Sequence, residues 1–339
     1  MARFHIFSQY VWPDSGPDGL LAEQLAARLQ DEGHEVQLIG GKGTYRPSYR
    51  AKPEVPILHV DHYCGRRGKL VETFVQYAAV MRAFENHIKR TVRADDIVIV
   101  TSAPPTSVRL ADCIHRRGAR AIYWLQDYYP ELIRGLREYP VHLRRALRAY
   151  WDGQLARWDR VVKIGSNLPG PSSNSVVIRN WPTMDMASPV SPEPRTALYS
   201  GNLGYGHDIG LLVQACEELR DRAYTITLRA DGPGVRHLPA WLKPVPLHRD
   251  PACLREELLR NEIHLVAADP RITQAIFPSK IWNSLAAQRE VIGTGFAAEM
   301  AVELEAAKRA PFSLHLAQWV ELLAGLAGVR SKSVLELAA

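Results

Sequence analysis

Short apolar runs of strand length alternate with amphipathic stretches of helix length, and the alternation occurs twice. In the first half, Arg3–Phe7, Glu35–Ile39, Ile97–Val100 and Ala121–Leu125 read as strands. Leu20–Glu32 carries apolar residues at Leu21, Leu25, Ala26 and Leu29 and stops at Gly33. Leu70–Lys89 reads as a long helix whose apolar positions are Val71, Phe74, Val75, Ala78, Met81 and Phe84. In the second half, Thr196–Tyr199, Tyr224–Leu228, Ile263–Val266 and Glu290–Ile292 read as strands, with Ile209–Leu219 as a helix between the first two. Between the halves, Ser166–Pro194 is rich in Pro, Ser and Asn and reads as a linker. Strands that alternate with helices require a mostly parallel sheet covered on both faces. The expected fold class is therefore α/β, with two doubly wound Rossmann-like domains facing a central cleft.

A chain of 339 residues can bury two cores of this kind. Its 42 basic and 36 acidic residues give a net charge of +6, a mild preference for anionic partners. The four cysteines, Cys64, Cys113, Cys216 and Cys253, are widely spaced with no CxxC. That usage predicts reduced thiols and a cytoplasmic location, and the first strand follows the start without a secretory signal. No uncharged apolar run is long enough to span a bilayer, so any membrane association would be peripheral, on the inner face.

Ligands of open α/β sheets bind at the carboxyl ends of the strands, which directs attention to the loops there. Ser200-Gly201-Asn202-Leu203-Gly204-Tyr205-Gly206 follows a strand and precedes a helix, and its glycines permit close backbone approach to a ligand. Phe277-Pro278-Ser279-Lys280-Ile281-Trp282-Asn283 reads as a polar turn opening a helix. Pro278 presets φ, Ser279 can cap the first turn, and Lys280 adds a cation where helix amides favour an anion. Two such turns in one domain could grip two phosphates. The first strand is followed by Gly16-Pro17-Asp18-Gly19 rather than a dinucleotide fingerprint, and no Walker A sequence is present.

The ordered set of motifs resembles family 4 glycosyltransferases, in particular the bacterial cell-surface polysaccharide group. Tyr199-Ser200-Gly201-Asn202-Leu203-Gly204 is similar to their donor loop, and Leu228-Arg229-Ala230-Asp231-Gly232-Pro233-Gly234 is similar to their G-x-G-P turn. Ile178-Arg179-Asn180-Trp181 is similar to the segment entering the second domain. Thr101-Ser102-Ala103-Pro104-Pro105 and Trp124-Leu125-Gln126-Asp127-Tyr128-Tyr129-Pro130-Glu131 resemble strand ends of the first domain, and Pro278-Ser279-Lys280 resembles the family's P-S-K turn. The resemblance implies a GT-B fold. Residues 1–180 would form an acceptor-binding domain and 181–315 a nucleotide-sugar domain, with a helix in 316–339 packing back on the first. It also implies a nucleotide-diphosphate sugar donor, a carbohydrate or lipid-linked acceptor, retention at the anomeric centre and no metal or other cofactor.

Carried over to this chain, the donor-side residues are Gly201, Asn202, Leu203, Gly204, Arg229, Ser279, Lys280 and Asn283. Gly16 and Gly19 belong to the acceptor-side loop. Asp127 and Glu131 are the candidate acid–base or acceptor-orienting residues, since a carboxylate at a strand's carboxyl end can polarise an attacking hydroxyl. Asp127 can equally cap the turn that follows it. The chain departs from the family where its paired glutamates would stand: Ala275 and Asn283 occupy those places. Asn283 can still bond hydroxyls, whereas Ala275 cannot, leaving Arg271, Thr273 or Gln274 as substitutes. A non-catalytic GT-B binding partner or regulator, and a sugar-nucleotide 2-epimerase, are the competing readings.

Basic residues are interleaved with aromatic and aliphatic ones over 134–160, and Arg66, Arg67 and Lys69 precede Phe74. The pattern suits either an anionic membrane surface or a solvated helical face. It matches no nucleic-acid-binding module.

Overall fold

The computed structural model describes residues 1–14, 16–42, 51–65, 70–136, 140–188, 190–204 and 206–328. Arg66, Arg67, Lys69, Arg137, Tyr139 and Tyr205 therefore lie outside the described residues. The chain divides into two compact α/β units. The first contains Met1–Pro130, Pro140–Asn180 and the segment from Ser313 onward. The second contains Trp181–Phe312 together with the short segment that begins at Glu131.

Up to Asn180 the elements are β1 (Arg3–Ser8), α1 (Pro17–Asp31), β2 (Glu35–Gly40), β3 (Ile57–His59), α2 (Leu70–Thr91), β4 (Ile97–Thr101), α3 (Ala111–His115), β5 (Arg120–Leu125), α4 (Tyr129–Leu136), α5 (Val141–Leu155), β6 (Arg160–Lys163) and β7 (Ser175–Val177). The strands form one parallel sheet in the order β3-β2-β1-β4-β5-β6-β7. The order reverses between β1 and β4, the place where doubly wound sheets open a binding crevice. Strand β4 is buried along its whole length, and β5 from its second residue, which explains why both read as continuous apolar runs.

Beyond Asn180 come β8 (Glu193–Asn202), α6 (Ile209–Asp221), β9 (Thr225–Asp231), α7 (Pro251–Arg260), β10 (Asn261–Ala267), α8 (Lys280–Ala286), β11 (Glu290–Thr294) and α9 (Ala298–Arg309). These strands form a second parallel sheet in the order β11-β10-β8-β9. The side chains of Asp208 and Asp250 cap α6 and α7 by accepting from Leu211 N and Ala252 N. The last helix, α10 (Phe312–Ala327), belongs to the first unit from Ser313, and its buried Trp319 packs on Trp124 of β5 at 4.7 Å between rings.

Three local readings change. The stretch read as linker contains β7, an edge strand of the first sheet. The strand read over Thr196–Tyr199 continues to Asn202, because Ser200, Gly201 and Asn202 stay in register with Arg229, Ala230 and Asp231. The apolar positions of α2 divide between two faces. Met81 and Phe84 are buried with Val80 and Ile88, whereas Val71, Phe74, Val75 and Ala78 face solvent. A 3.6-residue period marks a stripe without saying which side the core lies on.

Candidate functional site

In the second unit, the carboxyl end of β8 and the start of α8 bring Gly201 and Lys280 together. The Lys280 side chain lies directly over Gly201, so a Cβ at position 201 would run into its Nζ and Cε. The backbone there has φ +153, a conformation that glycine tolerates and other residues resist. Nζ donates to the hydroxyl of Tyr199 at 3.1 Å and sits 4.4 Å from the centre of that ring. Among the described residues no carboxylate pairs with it. Burial without a counter-charge lowers the Lys280 ammonium to about 7, where it is ready to gain from an anion.

The rest of this loop closes around the same point. His207 is lowered to about 4, first by burial and then by the Lys280 charge, so it is neutral at physiological pH. Its Nδ1 accepts from the Gly204 amide at 3.2 Å. Leu203 is fully buried and its amide donates to the Asp231 carbonyl at 2.7 Å, while its own carbonyl accepts from Gly234. Gly232, at φ +101, leaves room for the Asn202 side chain, which a Cβ would strike. Gly201, Asn202, Leu203, Gly204 and Lys280 are thus gathered in one place, and His207 joins them.

Other predicted residues have different work. Ser279 makes no side-chain capping bond. The amides of Ile281 and Trp282 donate to the Pro278 and Ser279 carbonyls, and the helix has only seven residues. The anion argument therefore moves from helix amides to the Lys280 ammonium. Arg229 is taken up by Glu257 and the Pro246 carbonyl, and His248 shares the same carboxylate. Asn283 accepts from the Thr183 amide at 2.9 Å and donates to the Thr183 hydroxyl at 3.1 Å, fixing the chain just beyond Trp181. Ala275 is fully buried, which accounts for an apolar residue there. Arg271 forms a fork on Asp269, whose amide donates to the Gly206 carbonyl.

In the first unit, Asp127 follows β5. Its amide and that of Gln126 both donate to the Ser102 hydroxyl at the end of β4, at 3.0 and 3.2 Å. Gln126 and Asn180 exchange side-chain amide bonds, and the Asn180 carbonyl contacts His315 Nδ1 at 2.8 Å. These bonds fix the backbone from which Asp127 projects. Burial first, and then the nearby Asp18 carboxylate, raise the Asp127 carboxyl to about 7. Burial also raises Asp18, to about 6. The Asp18 carboxylate thus opposes ionisation of Asp127, and both carboxyls lie above the ordinary carboxylate range. Tyr129 beside them is pushed up as well, by burial and then by Asp127.

Asp18 owes its place to the glycine that follows it. Gly16 is the extended residue before α1, and Pro17 opens the helix. A Cβ on Gly19 would collide with the Tyr10 carbonyl, so only glycine lets this turn pack against the loop after β1. Gly19 thus positions Asp18, a residue the motif reading passed over although it stood inside the Gly-Pro-Asp-Gly sequence. Glu131 is buried in α4 and is grouped with the second unit.

No family model matches the chain, and no curated protein matches it by sequence. Solved structures do match it. The fold is GT-B. Sucrose-phosphate synthase from Thermosynechococcus elongatus aligns with a TM-score of 0.66 and 12% identity, over 98% of this chain and 92% of that one. The catalytic domain of starch synthase IV from Arabidopsis thaliana, bound to ADP and acarbose, aligns with a TM-score of 0.63 and 12% identity, over 97% and 99%. WaaG, a glycosyltransferase involved in lipopolysaccharide biosynthesis, aligns with a TM-score of 0.59 and 13% identity, over 96% and 90%. At these identities the likeness establishes the architecture, and the residues must carry the chemistry.

Proposed function

We propose that this chain is a glycosyltransferase that moves a sugar from a nucleotide-diphosphate donor to a hydroxyl acceptor. The observation that carries the reading is the Lys280 ammonium, set over Gly201 at the end of β8 with no carboxylate partner among the described residues. A diphosphate supplies the missing counter-charge, and Lys280 then stabilises it as it leaves. His207 presents a neutral imidazole beside it, and the Gly201–Gly204 backbone permits close approach. Starch synthase IV, of the same fold, was solved with ADP and acarbose, which supports a nucleotide-linked donor.

Asp127 is the proposed base of the first unit. As a carboxylate it takes the proton of the acceptor hydroxyl while the acceptor oxygen bonds the anomeric carbon on the same face from which the diphosphate leaves. Retention of configuration, the outcome the family resemblance implies, forms part of the proposal, as does an acceptor in cell-surface polysaccharide or glycolipid assembly. The similarity to WaaG supports that last element.

The test is calorimetric titration with UDP, GDP, ADP and TDP, followed by transfer assays with the sugars of whichever base binds and NMR of the product's anomeric proton. Nucleotide binding lost in Lys280→Ala, together with turnover, supports the reading. Binding without turnover on any donor would favour a non-catalytic role, a reading that the buried methyl of Ala275 motivates.

A further inference from the structure

The first unit exposes apolar side chains in an arrangement that neither sugar transfer nor packing explains. The first ten residues of α5, Val141–Tyr150, contain no buried residue, and burial begins only at Trp151 and Leu155. Val141, Leu143 and Tyr150 stand about half exposed. Between them lie Arg144, Arg145 and Arg148, with no acidic residue before Asp152. Arg148 pairs with Asp152 at 3.7 Å, whereas Arg144 and Arg145 have no ion-pair partner among the described residues. A second feature repeats the theme. Helix α2 turns Val71, Phe74, Val75 and Ala78 to solvent as a continuous stripe, with Phe74 62% exposed, and Arg82 extends the stripe by one turn. Both helices pack against the same 3-10 turn, Pro105–Leu110.

Exposed aliphatic and aromatic residues among arginines are costly in water and favourable at an anionic lipid surface. There the apolar chains enter the headgroup boundary, the guanidinium groups pair with lipid phosphates, and a tyrosine places its ring inside and its hydroxyl outside. A folded protein partner would have to match two separate helices. A lipid surface accepts any apolar residue and selects only for positive charge, which α5 supplies at Arg144, Arg145 and Arg148 and the α2 stripe at Arg82. We propose that the first unit docks on an anionic lipid bilayer through the outer face of α5, centred on Leu143, Arg144, Arg145 and Tyr150, with the exposed α2 stripe around Phe74 as a second apolar contact. Among the described residues no helix is long and apolar enough to cross a membrane, so such docking would be peripheral.

The experiment is flotation of the full chain with vesicles of phosphatidylcholine alone or mixed with phosphatidylglycerol, at low and high salt. The expected result is binding to the anionic vesicles only, reversed by salt. Each arginine near the surface is worth about fivefold in partitioning, so R144Q/R145Q/R148Q should bind ~100-fold more weakly. Phe74→Ser with Val75→Ser should reduce binding while leaving its salt dependence. These positions are exposed, and far-UV circular dichroism verifies that the variants fold. Equal binding to neutral vesicles, no binding to anionic ones, or unchanged binding by the arginine variant overturns the proposal. So does a dimer, seen by light scattering, that Leu143→Ser with Tyr150→Ser dissociates. Nucleotide titration of the same variants separates this result from the glycosyltransferase reading, since both helices belong to the first unit and Lys280 to the second.

Discussion

Replacing Lys280 by methionine should make the protein more stable and less able to bind a nucleotide. The ammonium lies among Tyr199, His207 and the backbone of Gly201, and burial lowers it from the ordinary lysine value of 10.5 to about 7. That fall corresponds to about 5 kcal/mol by which the folded state disfavours the charge. Because the lowered group is a base, the penalty is fully present below about pH 7. It fades as pH rises toward 10.5, leaving roughly 2 kcal/mol at pH 9. The side chain is only partly covered, so solvent reduces these figures, and the lost hydrogen bond to Tyr199 offsets about 1 kcal/mol. The variant should therefore gain about 2 kcal/mol at pH 6 and less than about 1 at pH 9. Urea titrations of both proteins at the two pH values measure this. Diphosphate binding should weaken by ~30-fold or more, since a charge-assisted bond is lost. In the wild type, binding should take up a proton near pH 8, visible when calorimetry is repeated in buffers of different ionisation enthalpy. Parallel stability curves for the two proteins, or a variant that is less stable at pH 6, would refute the argument that Lys280 sits uncompensated.

Other substitutions probe the remaining parts. Asp18→Asn removes the charge that opposes ionisation of Asp127, so an NMR titration should move the Asp127 carboxyl from about 7 toward the ordinary carboxylate range. An unmoved titration would mean that Asp18 does not oppose the ionisation of Asp127. Gly201→Ala places a methyl against the Lys280 ammonium at φ +153, and should cost about 1–3 kcal/mol of stability along with nucleotide affinity. Thermal unfolding and titration on one sample measure both. Arg229→Gln leaves Glu257 with His248 alone, and should destabilise the protein by about 1–3 kcal/mol while changing nucleotide affinity little. A large loss of affinity in a stable variant would return Arg229 to the donor site.

Much of the fold was legible because parallel strands buried on both faces leave an unmistakable signal. The runs at Ile97–Thr101 and Arg120–Leu125 were found almost to the residue. Short edge strands such as Ser175–Val177 were not, since three half-buried residues carry no period. The site was legible in part. Glycines with a required backbone conformation and a lysine after a Pro-Ser turn stand out in a sequence. Asp18 did not, because its importance depends on Asp127, more than a hundred residues away. Arg229 looked available for phosphate because nothing local reveals that Glu257 already holds it.

The amino-acid sequence by itself determined the two α/β halves, the loops that matter and the residue types in them, because periodicity and turn chemistry are local properties. Tertiary structure decided which charges are paired and which are not. Arg229 was given a carboxylate and Lys280 was given a glycine and a tyrosine. Desolvation and pairing depend on everything packed around a group, and those neighbours come from distant parts of the chain. The same holds for α2 and α5: their apolar residues are plain in the sequence, but only the packed unit shows that Phe74 and Leu143 face outward.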